Sequence, residues 1–145
     1  MKTLREIMTD EVVTATKQDS IYDVALKMKN ENIGFIPVVE GKKLIGVVTD
    51  RDLVIRGIAE KHPGSASVEE VMTKQPVTAA PDTTVDEAAK IMAQRKIRRL
   101  PIVENGELTG VVAIGDMAVR NNLEDEAAKA LSEISTPVKE PAGVR

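Results

Sequence analysis

Two stretches of the chain carry residue types able to hold a phosphorylated sugar. Gly46-Val47-Val48-Thr49-Asp50-Arg51-Asp52 runs from an apolar strand pattern into a helix start, and Gly110-Val111-Val112-Ala113-Ile114-Gly115-Asp116 does so again. Where a strand gives way to a helix, the first amides lack intrahelical partners. The positive end of the dipole faces the gap, a natural place for phosphate. Thr49 adds a hydroxyl donor. Asp52, in the first helical turn, offers two oxygens that can accept both vicinal hydroxyls of a ribose. Charge-assisted bonds of that kind contribute about 1.5–3 kcal/mol each. The plainer alternative is that Asp52 and Asp116 only complement helix dipoles, as first-turn acids often do. Spacing alone favours the plainer alternative.

The second copy departs from the first. Ala113 stands where the hydroxyl would be, and Gly115 replaces Arg51. Both changes weaken phosphate binding by that loop, while Asp116 keeps the carboxylate.

These loops belong to a longer internal repeat. Shifted by 64 positions, residues 7–53 fall on 71–117 without a gap, with identities from Met8/Met72 and Thr9/Thr73 through Pro37/Pro101 and Gly46/Gly110 to Asp52/Asp116. A period this long, present twice, argues for two copies of one supersecondary unit rather than a solenoid. Each copy reads as strand, helix, strand, strand, helix. In the first, Val12–Ala15 is a short β-branched run. Ser20 with Asp23 makes an imperfect capping box, and Ile21, Val24, Ala25 and Met28 recur at helical spacing until Asn32 and Gly34. Phe35–Val39 and Leu44–Thr49 flank a hairpin signal, and a helix carrying Leu53, Ile55 and Ile58 starts at Asp50–Asp52. The second copy gives Val77–Ala79, Val85–Arg95, Arg99–Val103, Leu108–Ala113 and a helix from Gly115. The expected organisation is α/β (α+β). Residues 1–60 form the first repeat, 61–67 a linker, 68–122 the second repeat, 123–135 a C-terminal helix, and 136–145 a frayed tail.

Composition removes several function classes. The chain of 145 residues has no Cys and one His, so neither a disulfide framework nor a structural zinc site is expected. A net charge of −3, with Tyr22 and Phe35 as the sole aromatics, argues against nucleic acid. No apolar run is long enough to span a bilayer, and the start lacks a signal-peptide core, so a soluble cytoplasmic protein is expected. No nucleophile–base pair, metal-ligand cluster or glycine-rich nucleotide fingerprint is present. His62 lies in the linker beside Pro63 and Gly64, as a surface residue would. No catalytic residue and no metal are expected.

Met-Thr leading into a short strand, then Ile-Pro-Val-Val or Leu-Pro-Ile-Val, then Gly-Val-Val-Thr-Asp-Arg-Asp-Leu or Gly-Val-Val-Ala-Ile-Gly-Asp-Met, resembles the CBS domain. This is the regulatory repeat named after cystathionine β-synthase, and two copies form a Bateman module. The resemblance covers about residues 4–122 and is similar to the small free-standing two-repeat proteins of bacteria. Residues 115–135 resemble a Bacillus-type subgroup.

The resemblance implies two repeats packed about a pseudo-twofold axis, with an adenine nucleotide (AMP, ADP or ATP) in the cleft between them. Asp52 and Asp116 would hold ribose, and Thr49 and Arg51 phosphate. In the γ subunit of the energy-sensing kinase, whose repeats are similar, a His-Arg pair contacts phosphates where Arg98 and Arg99 stand. The guanidinium fork suits that task. Otherwise the two arginines are strand-end charges paired with surface acids. Asp19, Gly34, Pro37, Thr83, Pro101 and Ala113 are possible lining. The resemblance further implies a homodimer through helical faces bearing Leu53, Ile55, Ile58, Met117 and Val119, and signalling to an effector protein that the sequence does not identify. The competing function is a structural or assembly module whose clefts are vestigial.

Overall fold

The computed structural model describes residues 2–119 together with Ala130, Leu131, Glu133 and Ile134. The chain divides into two compact units. The Asp52 unit comprises Glu11–Val77 with Val103–Leu108. The Asp116 unit takes the residues up to Asp10, Thr78–Ile102 and those from Thr109 onward. A unit is therefore not a sequence repeat, because the start of each repeat is folded into the unit that carries the other's motif loop.

In the Asp52 unit, β1 (Ala15–Thr16) precedes α2 (Ile21–Glu31), then β2 (Phe35–Glu40) and β3 (Lys43–Thr49). Ser20 Oγ accepts from Asp23 N at 3.0 Å and starts α2. Asn32, in the left-handed region at φ 56°, ends it, a role its short polar side chain tolerates. β1 runs parallel to β2, and β2 runs antiparallel to β3, with Phe35 opposite Thr49 and Pro37 opposite Val47. The expected strand Val12–Ala15 is shorter and later than its β-branched run, at Ala15–Thr16. Residues 68–77 complete the unit. A 3-10 turn spans Val68–Glu70, and β4 (Thr73–Lys74) pairs with β3 at Gly46 and Val47. Val68, Val71 and Met72 join Ile21, Val24, Ile36, Val38 and Val48 in one apolar core.

The linker is tied down, contrary to its composition. Ile21 N donates to Ala66 O at 2.8 Å, Tyr22 N to Gly64 O at 2.9 Å and Val68 N to Asp19 O at 2.8 Å, while Ser67 Oγ donates to Lys17 O. Its backbone groups find partners on the start of α2, so Gly and Pro here shape a strap over that helix end.

The Asp116 unit copies these contacts with the start of the chain. Short helix α1 (Leu4–Ile7) occupies the place of the 3-10 turn. Leu4 N donates to Thr83 O at 2.9 Å and Val85 N to Lys2 O at 3.0 Å, and Thr9 bridges Val111. α4 (Val85–Arg95) is capped by Thr84 Oγ1, which accepts from Glu87 N at 3.1 Å. β5 (Arg99–Glu104) and β6 (Glu107–Ala113) are neighbours in the sheet, and α5 spans Ile114–Val119. Ala79 bridges Ile102 in parallel, which is all that forms of the expected strand Val77–Ala79. Leu4, Ile7, Met92, Leu100, Ile102, Val112 and Met117 are fully buried. Burying a side chain of this size contributes about 1.5–3 kcal/mol, so Leu4 and Ile7 are structural members of this unit.

The helix expected from Asp50 is not uniform. α3 (Asp50–Asp52) lasts three residues, and Leu53–Ile58 continues as a π-helix, with Ala59 N donating to Val54 O and His62 N to Gly57 O. The wider turn places Leu53 and Gly57 inward and leaves Val54, Ile55 and Ile58 exposed. Leu53 and Met117 are thus core residues and unavailable to a partner. The side chain of Val119 and most of the expected helix at 123–135 and tail at 136–145 lie outside the described residues. Within that stretch Ala130, Leu131, Glu133 and Ile134 are helical, and Lys96 Nζ donates to Glu133 O at 2.8 Å.

Candidate functional site

The loop of the Asp52 unit is built by a reciprocal cap. Thr49 Oγ1 accepts from Asp52 N at 3.1 Å, and Thr49 N donates to Asp52 Oδ2 at 3.0 Å. This satisfies two otherwise orphan amides at the helix start. Asp52 is therefore a capping residue of its own helix start. The cap leaves Oδ1, which lies 3.9 Å from Arg56 Nε, an ion-pair contact too long for a hydrogen bond. Each carboxylate oxygen has two lone pairs, so Oδ1 retains acceptor capacity. Asp50 Oδ1 accepts from Arg51 N at 2.8 Å, and Asp50 N donates to Gly34 O at 3.0 Å. A Cβ on Gly34 would stand 2.7 Å from Asp50 Oδ2, so a larger residue at this strand start would displace the Asp50 side chain. Arg51 is exposed, with no carboxylate partner among the described residues.

In the Asp116 unit Ala113 removes the cap, and the Asp116 carboxylate has no partner among the described residues. Ile114 N donates to Arg98 O at 3.0 Å, which sets the strand end carrying Arg98 and Arg99 against the Asp116 loop. Sequence alone could not assign the two arginines to a loop. Both are exposed, and Arg99 Nη1 donates back to Arg98 O at 3.3 Å. Neither pairs with an acid among the described residues. Where the first unit sets Asp50 over Gly34, this one sets buried Ile114 beside Arg98.

Other expected lining residues make local contacts. Asp19 accepts from Thr16 N at 3.0 Å and Thr16 Oγ1 at 3.1 Å, with Lys27 Nζ at 3.5 Å. The Thr16 amide bond, helped by the Thr16 hydroxyl and the Lys27 charge, holds the Asp19 carboxyl below the usual carboxylate range against a partial desolvation cost. Thr83 Oγ1 accepts from Ala80 N at 3.2 Å. Both side chains close local turns. Pro37 and Pro101 are buried, and Pro101 O accepts from Ala79 N.

The glycines of the motif have a packing reason. A Cβ on Gly46 would lie 2.8 Å from both Met72 Sδ and Thr73 O, and one on Gly110 would lie 2.7 Å from Met8 Sδ and 2.8 Å from Thr9 O. Met-Thr and the motif glycine of the same unit thus come from different repeats. Arg56 was not singled out by sequence, although its spacing of four residues after Asp52 was a visible signal. A shallow cavity of about 250 Å³ between α4 and the 130–133 segment contains none of the motif-loop residues.

Two apolar-strand-to-acid loops, one in each unit and each backed by a Met-Thr segment, are what a tandem CBS protein carries. The CBS-domain family matches residues 4–57 and 68–120, and the chain belongs to it. Relatives include YlbB of Bacillus subtilis, 43% identical with 93% of each chain covered, and the CBS domain-containing protein YhcV of the same organism, 41% identical over 93% of this chain and 96% of its own. Inosine-5'-monophosphate dehydrogenase of Korarchaeum cryptofilum is 39% identical over 84% of this chain, but only 25% of the enzyme is covered. Among solved structures, CBSX2 in complex with AMP has a TM-score of 0.75 at 25% identity, covering 82% of this chain and 95% of its own. The CBS pair of MJ0100, in complex with 5'-methylthioadenosine and S-adenosyl-L-methionine, has 0.73 at 28% identity, covering 81% and 98%. Among the described residues, no helix is long and apolar enough to cross a membrane, and no cluster of three metal-ligating residues exists.

Proposed function

We propose that this chain is a regulatory CBS pair that binds an adenine nucleotide (AMP, ADP or ATP) and passes the binding event to an effector protein. Asp52 and Asp116 take the ribose hydroxyls, and Arg98 and Arg99, with Thr49 and Arg51, take phosphate. The observation that carries this reading is the Asp116 carboxylate, in the loop bonded to the strand end that presents two guanidiniums, none of the three having an oppositely charged partner among the described residues. A carboxylate for vicinal hydroxyls and a planar cationic fork for phosphate are complementary to a nucleoside phosphate. The AMP complex of CBSX2 and the adenosyl complexes of MJ0100 support the ligand class.

Two facts favour the second reading, a non-binding assembly module: the Asp52 carboxylate already serves a cap, and Ala113 offers no hydroxyl. Thermal unfolding with and without AMP, ATP and GTP separates the two. Ligand at 100 times its Kd stabilises by about 2.7 kcal/mol, a rise of several degrees, whereas an assembly module stays unmoved by every nucleotide.

Calorimetry ranks the sites. The complete motif around Thr49, Arg51 and Asp52 would make Asp52→Ala the more damaging change, at about 2–4 kcal/mol or 30- to 1,000-fold in Kd if both oxygens bind ribose. The cap already occupies one lone pair of Oδ2, so the expected loss at Asp52 falls to the order of 10-fold, and Asp116→Ala equals or exceeds it. A loss confined to Asp52→Ala would overturn this ranking.

A further inference from the structure

Resting on that nucleotide reading, we infer that Arg56 is a positioning residue for the Asp52 carboxylate, acting on ligand affinity without touching the ligand. Arg56 sits in the first π-helical turn, half exposed, yet its guanidinium is held at three points. Nη1 donates to Met72 O at 3.2 Å and to Val71 O at 3.5 Å, while Nε faces Asp52 Oδ1 at 3.9 Å. The far end of the side chain is therefore anchored on backbone whose position is fixed by the core, since Val71 and Met72 are both buried.

An aspartate χ2 torsion is broad and roughly two-fold. One cap bond at Oδ2 restrains one oxygen, and the anchored cation restrains the other by charge. Because 3.9 Å is beyond hydrogen-bonding range, the guanidinium aims Oδ1 without filling its lone pairs. The Asp52 side chain is only 17% exposed while that of Arg56 is half exposed, so solvent screens the charge contact in part and the backbone anchors at Val71 and Met72 do most of the positioning. A ribose hydroxyl then meets an acceptor whose orientation is already set, which removes part of the ordering cost of binding. The same guanidinium ties the loop to residues 71–72, whose Met72 sulfur packs against the Gly46 position.

The test is calorimetry with AMP and with adenosine on the full chain, in an Asp116→Ala background so that the Asp52 loop is read alone. Arg56→Met keeps the aliphatic stem and removes the fork. Restoring the freedom of one side chain is expected to weaken both ligands roughly 3- to 10-fold. Arg56→Lys, which keeps the charge, should recover part of that loss. In an Asp52→Asn background, Arg56→Met should add no further loss, because the residue it acts through has been changed. An equal loss in both backgrounds, or no loss from Arg56→Met, overturns the positioning role while leaving nucleotide binding intact. Should Arg56→Met fail to fold, the same cycle run with Arg56→Lys must still show a loss that vanishes with Asp52→Asn. A parent chain that binds neither AMP nor adenosine at either loop overturns the nucleotide reading and this inference together.

Discussion

Asp19 and Thr83 stand at equivalent repeat positions and do the same local work, one as a carboxylate and the other as a hydroxyl. Their types admitted either a sugar contact or a turn, and sequence cannot separate these, because both need a short polar acceptor near a helix start. In the structure each side chain makes the turn bonds. For Asp19 this carries a pH signature. A carboxyl held below its ordinary range adds stability that is present above that range and is lost as pH falls through the lowered folded value. Asp19→Asn keeps an acceptor and loses the charge. It is expected to unfold with about 1 kcal/mol less stability near neutral pH, the gap closing below about pH 4. Thermal melts across pH would refute this if the gap were constant. Asp52 was legible as a first-turn acid, but its division between a cap oxygen and an open oxygen was not, because that depends on backbone placement at Thr49.

At the scale of elements, the motif glycines were readable as motif members and unreadable as packing partners. Gly46 admits Met72 and Gly110 admits Met8 at distances no Cβ allows. Gly46→Ala and Gly110→Ala should each cost about 1–3 kcal/mol, since the nearest obstacle includes a backbone carbonyl that cannot swing aside. Chemical denaturation of both variants checks this, and an unchanged midpoint would show that the Met-Thr segments move freely. The helices α2 and α4 were visible through a 3.6-residue period and their Ser and Thr caps. The segment after Asp52 was not, because its wider i→i+5 turn departs from the 3.6-residue period, with Leu53 inward and Ile55 outside. A β-branched run at Val12–Val13 also over-promised, since β1 begins only where β2 offers a parallel partner.

For the whole molecule, the repeat and the family were plain in the sequence, whereas the partition into units was not. Self-alignment reports which residues are alike and is silent on which copies they pack with. A homodimer remains the expected assembly. Its candidate surface is the outer face of the π-helix, where Val54, Ile55 and Ile58 are exposed, Ile58 at 71%. Three large apolar side chains exposed within one short helical segment make it the surface to test. Light scattering should give a two-chain mass at micromolar concentration, and Ile58→Lys should shift it toward one chain. A one-chain mass for the parent protein would remove the proposal.

The exchange of leading segments bears on what happens when the covalent chain is cut. A nick between Lys61 and Ser65, in the exposed strap, yields two peptides that do not correspond to the two units. The N-terminal peptide carries Leu4 and Ile7, which are buried in the Asp116 unit, and the C-terminal one carries Val68, Val71 and Met72 of the Asp52 core. Each fragment holds the plug of the other, so separation would require opening two hydrophobic cores at once. A nicked sample should elute from gel filtration as a single species and part only in denaturant, the way a latched box stays shut after its hinge pin is drawn.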